Sequence, residues 1–155
     1  MDKGMLIFFC GKMGAGKSTL AKKLAYENDA ILISEDDLLL KLYAGKVKSV
    51  NDYKYYADTL KPVISEMSQQ LLKKGINVVL DFPANTESQR KWLLSISDEA
   101  NSEHTCYFVD RSDDVCIKQI LKRGNPNTDT IEMFHTITKY FTEPSKSENI
   151  NTVKA

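Results

Sequence analysis

The run Gly11-Lys12-Met13-Gly14-Ala15-Gly16-Lys17-Ser18 satisfies every fixed position of the pattern GxxxxGK(S/T). It follows a short apolar segment, residues 5–10, that reads as a strand buried on both faces. It precedes residues 17–26, where Leu20, Ala21, Leu24 and Ala25 share one helical face. A strand, a glycine loop and a helix in that order have a physical use. Glycines let the backbone turn so that successive N–H groups point inward, and the helix N-terminus adds the positive end of its dipole. Such a concavity holds phosphate. Lys17 is expected to reach the β- and γ-phosphates of ATP, and the Ser18 hydroxyl to ligate magnesium. With Thr19 next on the helix, the expected nucleotide-binding set is Gly11, Lys12, Met13, Gly14, Ala15, Gly16, Lys17, Ser18 and Thr19.

The rest of the chain alternates strand and helix signals. Residues 30–34 read as a second strand leading into Glu35-Asp36-Asp37, whose carboxylates suit the first turn of a helix over 38–43. Residues 45–51 read as a polar loop. Asp52 is positioned to cap a long helix over 53–74, kinked or broken at Pro62 and terminated at Gly75. A third strand, 76–80, ends at Asp81, and Asn85 or Thr86 can cap the helix carrying Trp92, Leu93, Leu94 and Ile96. A fourth strand covers 105–109. A helix opened by Asp113 and Asp114 stops near Gly124, Asn125-Pro126-Asn127 forms a turn, and 130–141 reads as a last amphipathic helix. Residues 149–153 are expected to add an edge strand. This alternation implies one parallel sheet covered on both faces, with ligands at the carboxyl ends of its strands.

Composition narrows the functional classes. The 155 residues fit one domain, and 42% hydrophobic with 27% charged residues is ordinary for a soluble protein. No apolar run approaches the roughly 20 residues that cross a bilayer, and the first residues do not form a signal peptide, so a cytoplasmic protein without membrane contact is expected. Cys10, Cys106 and Cys116 form no CxxC pair and read as reduced, buried thiols. Lys plus Arg equals Asp plus Glu, 21 each, which disfavours general binding to nucleic acid without excluding it. His104 and His135 lack ligand spacing.

The catalytic candidates stand where strands end. Asp81 suits a carboxylate behind magnesium, or a turn acceptor. Asp36 suits a general base that takes the proton of a substrate hydroxyl while the γ-phosphoryl group transfers in line, with Asp37 a lesser candidate and helix capping the alternative for both. Arg90, Lys118 and Arg123 are the cations considered for the migrating phosphoryl group and the acceptor. Arg123, before the turn at 124–127, suits a mobile lid.

Phe8 through Leu20, Val78 through Thr86 with Gln89, Arg90 and Trp92, and Phe134 through Pro144 together resemble the small bacterial AAA_33-type P-loop kinases. These are relatives of chloramphenicol phosphotransferase, zeta-toxin kinases, gluconate kinases and the kinase domain of polynucleotide kinase. The resemblance implies a P-loop NTPase fold: three layers, α/β/α, with a five-stranded parallel sheet of order 2-3-1-4-5 and a mobile lid. It also implies magnesium-ATP as phosphate donor and a hydroxyl acceptor, with Asp36 as base and Arg123 in the lid. Lys118 stands where relatives often carry arginine, and lysine cannot make the same two-pronged contact.

Three functions follow. The first is a kinase for a small molecule, enclosed by residues 44–60 and 124–145. The second is a nucleic-acid or nucleotide-sugar kinase using Lys41, Lys46, Lys48 and Lys54 with Tyr43, Tyr53, Tyr55 and Tyr56, residues that also read as one amphipathic helix. The third is an ATP-hydrolysing switch. The acceptor and the oligomeric state are left open.

Overall fold

The computed structural model describes residues 2–126 and 128–155, so Asn127 of the expected turn lies outside the described residues. Strand β1 (Leu6–Cys10) is buried along its whole length. Because successive side chains of a strand point to opposite faces, it feeds two cores at once. Leu6, Phe8 and Cys10 join one cluster with Leu60, Ile64, Leu93 and Ile96, while Ile7 and Phe9 pack with Ala21, Leu24 and Ala25 on the other side. Around it lie β2 (Ile31–Ser34), β3 (Val78–Asp81), β4 (His104–Phe108) and β5 (Thr152–Lys154). The sheet order is β2-β3-β1-β4-β5 and every neighbouring pair is parallel. The central place of β1, the strand order and the edge strand are as expected.

Helix α1 (Lys17–Glu27) covers one face, and α3 (Val50–Lys73) with α4 (Glu87–Glu99) covers the other. The short α2 (Glu35–Leu42) joins β2 to α3, and α5 (Asp113–Arg123) and α6 (Ile131–Thr138) follow β4. Cys116 and Ile120 of α5 and Phe134 of α6 form a third cluster with Val109 and Ala15.

Among the described residues, hydroxyl side chains begin five of the six α-helices. Ser34, Ser49, Thr86, Ser112 and Thr130 each accept a hydrogen bond from the backbone N–H three residues on, satisfying a donor that the helix cannot. Two expectations are thereby corrected, and a third, open between Asn85 and Thr86, is decided. Asp52 does not cap α3: Ser49 does, and the Asp52 carboxylate accepts from the Lys48 N–H at 3.1 Å. The cap of α2 is Ser34 rather than any of Glu35, Asp36 and Asp37. The cap of α4 is Thr86, in a reciprocal capping box with Gln89, which frees Asn85 for another contact.

Pro62 does not break α3, which runs 24 residues through it. Ala57 and Leu60 before it and Ile64, Ser68 and Leu72 after it are buried on one face. That anchoring on both sides outweighs the roughly 3 kcal/mol that an interior proline costs. Helix α6 is shorter than expected because residues 139–142 turn away: the Thr142 N–H donates to the Asn85 carbonyl at 2.8 Å and Phe141 packs near Phe108.

Arg90 is placed differently from the expectation that it faces the phosphates. It is 1% exposed, the largest fully buried side chain among the described residues. Its Nε donates to Glu148 at 2.7 Å, Nη1 to the carbonyls of Ala84 and Thr142 at 3.0 and 2.8 Å, and Nη2 to the Thr142 hydroxyl at 3.1 Å and Glu148 at 3.3 Å. Every N–H of the guanidinium is used inside the protein, so none is left for a ligand. Arg90 therefore clamps α4 to the segment that returns the chain to β5. Arg90→Met removes the cationic partner of the largely buried Glu148 side chain, leaving it only Ser145, and is expected to lower unfolding stability by about 3–5 kcal/mol in urea titrations. A loss below about 1 kcal/mol would contradict this structural role.

Candidate active site

The carboxyl ends of β1, β3 and β2 bring together three segments far apart in sequence. Ser34 and Asp81 are register partners across β2 and β3, and the loop after β1 is tied to the segment after β3 by the Gly11 N–H, which donates to the Asn85 side chain at 2.9 Å. Asn85 was read only as a helix cap. Nothing in its local sequence marks it as the anchor of a loop 74 positions away.

The glycines shape this loop by conformation and by space. Gly14 has φ +80°, and a Cβ there would lie 2.5 Å from the Cys116 carbonyl oxygen and 2.8 Å from Ile120. The loop thus rests directly on α5. Gly16, with φ +99°, is the N-cap of α1, and α1 alone among the described α-helices has no side-chain cap hydrogen bond. Its first backbone donors remain directed into the loop, where the positive end of the helix dipole also lies.

The Lys17 ammonium folds back over this loop and donates to the carbonyls of Gly11 and of Lys12, the latter at 3.1 Å. Burial pushes its pKa down to about 8. The Ser18 hydroxyl donates to Asp81 Oδ2 at 2.8 Å. Beside this pair opens a cleft of about 400 Å³ lined by Ser18, Lys22, Leu32, Ser34, Asp36, Asp37 and Asp81. Asp36 lines the cleft and remains exposed, while the protein on its inner side partly desolvates its carboxylate and the Asp81 charge adds to the effect. Its pKa is raised, against the opposing pull of Arg123 and Lys17.

A magnesium ion fits the pair Ser18 and Asp81. Both offer hard oxygen atoms, and no group of three or more His, Cys, Asp or Glu among the described residues forms an all-protein metal cage. One or two protein oxygens completed by phosphate and water is the coordination this ion favours.

The other expected site residues divide. Lys12 pairs with Asp113 at 2.7 Å and lies over the Phe141 ring, and Met13 packs onto the cluster that holds Ala15. Thr19 is exposed on α1. Asp37 lines the cleft and is bound to Lys41 at 2.9 Å, one turn along α2. Arg123, the last residue of α5, is held by a two-pronged contact with the buried Asp129, at 3.0 and 2.7 Å, and its charge acts on both Lys17 and Asp36. Lys118 is exposed on α5, and no hydrogen bond or ion pair among the described residues brings it to the loop. Arg90 lies in the interior.

Two further residues escaped the sequence reading. Asp129, unremarkable in a polar loop, orients Arg123. Glu35 is 3% exposed and accepts a hydrogen bond from the Tyr53 hydroxyl. Burial pushes its pKa up to about 7, with Asp36 and Asp81 adding to the rise and Tyr53 and Lys61 opposing it. Tyr43, Tyr53 and Tyr56 pack against the main core, so of the four tyrosines considered as a stacking surface only Tyr55 is largely exposed. A larger groove, about 550 Å³ between α3 and α4, contains none of the loop residues.

Comparison with known proteins places this geometry. The family model AAA_33, described as an AAA domain, matches residues 6–144. An adenylate kinase of Nautilia profundicola is 28% identical over 151 residues, covering 91% of this chain and 79% of that protein. Among solved structures, a kinase-like protein of Chloroflexus aurantiacus superposes with a TM-score of 0.80 at 17% identity, covering 100% of this chain and 86% of the other. The Mycobacterium tuberculosis APS kinase in complex with AMPPNP and APS superposes with a TM-score of 0.68 at 19% identity, covering 99% and 90%. At those identities the two structures establish the shared fold. The family match over nearly the whole length, on a sheet of order 2-3-1-4-5 with an intact phosphate loop, makes this chain a member of the AAA_33 family of P-loop proteins.

Proposed function

We propose that this protein is an ATP-dependent kinase that transfers the γ-phosphoryl group to a hydroxyl of a small molecule, with Asp36 as general base. The observation that carries this reading is the Ser18–Asp81 contact in one cleft with Asp36, beside Lys17. Phosphate-binding groups and a candidate base thus line a space large enough for a small acceptor.

In this mechanism the N–H groups at the start of α1 hold the β- and γ-phosphates, and Lys17 supplies charge to them. Ser18 and Asp81 would hold magnesium, which when bound neutralises charge on the same phosphates. The acceptor hydroxyl gives its proton to the Asp36 carboxylate. Its oxygen forms a bond to the γ-phosphorus as the bond from that phosphorus to the β–γ bridging oxygen breaks, and ADP leaves with the electron pair. The raised pKa of Asp36 makes it a stronger base than an ordinary surface aspartate. Arg123, aimed by Asp129, adds positive charge opposite Asp36.

The adenylate kinase relative raises a different acceptor, one that presents a phosphate. The cleft argues against it here. Among the described lining residues, three carboxylates, Asp36, Asp37 and Asp81, outnumber the one cation Lys22, with Lys17 and Arg123 acting from outside the lining, and Arg90 is fully engaged elsewhere. An incoming phosphate would meet like charge, whereas a neutral hydroxyl would meet an acceptor for its proton.

Asp36→Asn is expected to abolish phosphorylated product from a panel of alcohol-bearing metabolites, read by mass spectrometry, while ATP affinity stays within about twofold. Equal loss of both would make Asp36 a structural residue, and a product phosphorylated on phosphate would favour the nucleotide-type acceptor. A second expectation comes from Lys17. Its pKa of about 8 in the free protein must rise when phosphates approach, so between about pH 8 and 10 binding takes up a proton and ATP affinity falls as pH rises. Calorimetry at pH 8.5 in buffers of different ionisation enthalpy should show this uptake in the wild type, and a heat of binding independent of the buffer would contradict it.

A further inference from the structure

The Glu35–Tyr53 contact lies next to the reacting groups but is unused by the mechanism. Glu35 is the first residue of α2, and Tyr53 stands in the first turn of α3. Between them the chain leaves α2 at Leu42 and crosses residues 43–49, where Gly45 has a positive φ of +75°. The Tyr53 hydroxyl closes this excursion by donating to Glu35 Oε1. A second bond, between the hydroxyls of Tyr43 and Thr59 at 3.1 Å, ties the far end of α2 to α3. The short α2 is therefore held to α3 at both ends.

The two ends differ in consequence. The Tyr43 end is exposed, and its aromatic ring contact with Tyr56, centroids 4.5 Å apart, already fixes it. The Glu35 end is interior, and the peptide that follows Glu35 carries Asp36. An ordinary exposed N-terminal glutamate would sit in water and favour the helix dipole from there. Here it is withdrawn from solvent at a cost that its raised pKa reflects, with Tyr53 and Lys61 of α3, Asp36 of α2 and Asp81 of β3 as the charged and titratable groups acting on it. A buried carboxyl that keeps one hydroxyl partner is a directional restraint, because rotation of either side chain would strand a polar group away from water.

We propose that the Glu35–Tyr53 hydrogen bond is the positioning contact for Asp36, locking the first turn of α2 to α3 so that the Asp36 carboxylate stays over the phosphate cleft. Glu35 and Tyr53 are positioning residues in this account and touch neither ATP nor acceptor. The inference rests on Asp36 being the base. A misplacement of about 1 Å at a reacting group can cost about 100-fold in rate.

The test uses magnesium-ATP hydrolysis with water as the acceptor, reading kcat and KM for wild type, Asp36→Asn, Tyr53→Phe, Glu35→Ala and Glu35→Gln. Amide hydrogen exchange of residues 34–38 is measured on the same proteins. Tyr53→Phe and Glu35→Ala are expected to lower kcat by about 10-fold or more with KM for ATP unchanged, and to speed exchange across 34–38. Glu35→Gln keeps an oxygen that can accept from Tyr53, and is expected to recover most of what Glu35→Ala loses. An inactive Asp36→Asn beside a fully active Tyr53→Phe overturns the positioning role and leaves the base in place. Glu35→Gln as damaged as Glu35→Ala also overturns it, because the charge rather than the bond would then matter. Wild-type hydrolysis by Asp36→Asn overturns the reading of the base and the positioning role with it.

Discussion

Burial of β1 on both faces is the constraint on which the molecule depends. A strand with Leu6, Phe8 and Cys10 in one core and Ile7 and Phe9 in another cannot shift by a residue without exchanging the two sets, so its register against β3 and β4 is fixed. Fixing the register fixes where the chain emerges. Gly11 leaves the sheet tied to Asn85 after β3, and the first turn of α1 meets Asp81 at the end of β3 through Ser18. The third cluster supports the loop from below, where Gly14 lies against Cys116 and Ile120 so closely that a methyl group would not fit.

The same packing sets the electrostatics. Around one cleft, loss of hydration lowers the pKa of Lys17 and raises those of Asp36 and of the buried Glu35, so that each charged form is held less comfortably than in solvent. A ligand that carries negative charge on one side and a transferable proton on the other relieves both strains. Arg123 fits this division: Asp129 fixes its direction, yet its side chain remains half exposed and its charge acts on Asp36. Arg90, of the same residue type, shows the opposite use of a guanidinium, with every donor consumed in holding the β5 segment to α4.

Much of this was legible in the sequence because it depends on local pattern. The loop motif names its own ligands, the alternation of strand and helix implies the parallel sheet, and resemblance to a known family supplied the strand order that was then found. What could not be read depends on contacts between distant segments. Asn85 and Thr86 are equivalent as helix caps until the Gly11 N–H reaches one of them. Arg90 and Arg123 are both arginines near predicted helix ends, and only the fold shows that Glu148 buries the first while Asp129 aims the second. Ser49 and Asp52 compete to cap α3 by the same chemistry, and the strand-like backbone at Ser49, φ −148° and ψ 169°, decides between them. Pro62 reads as a kink or a break because the count of local costs omits the apolar face that carries α3 past it.

The central claim is that residues 11–18 bind the phosphates of ATP through the open end of α1 and the Lys17 ammonium. The most direct test is a calorimetric titration of ATP, with magnesium, into wild type and Lys17→Ala at neutral pH, where the free Lys17 is still charged. The account predicts one saturable site per chain in the wild type and no measurable saturation in the variant. Unchanged affinity in a folded Lys17→Ala protein would contradict it.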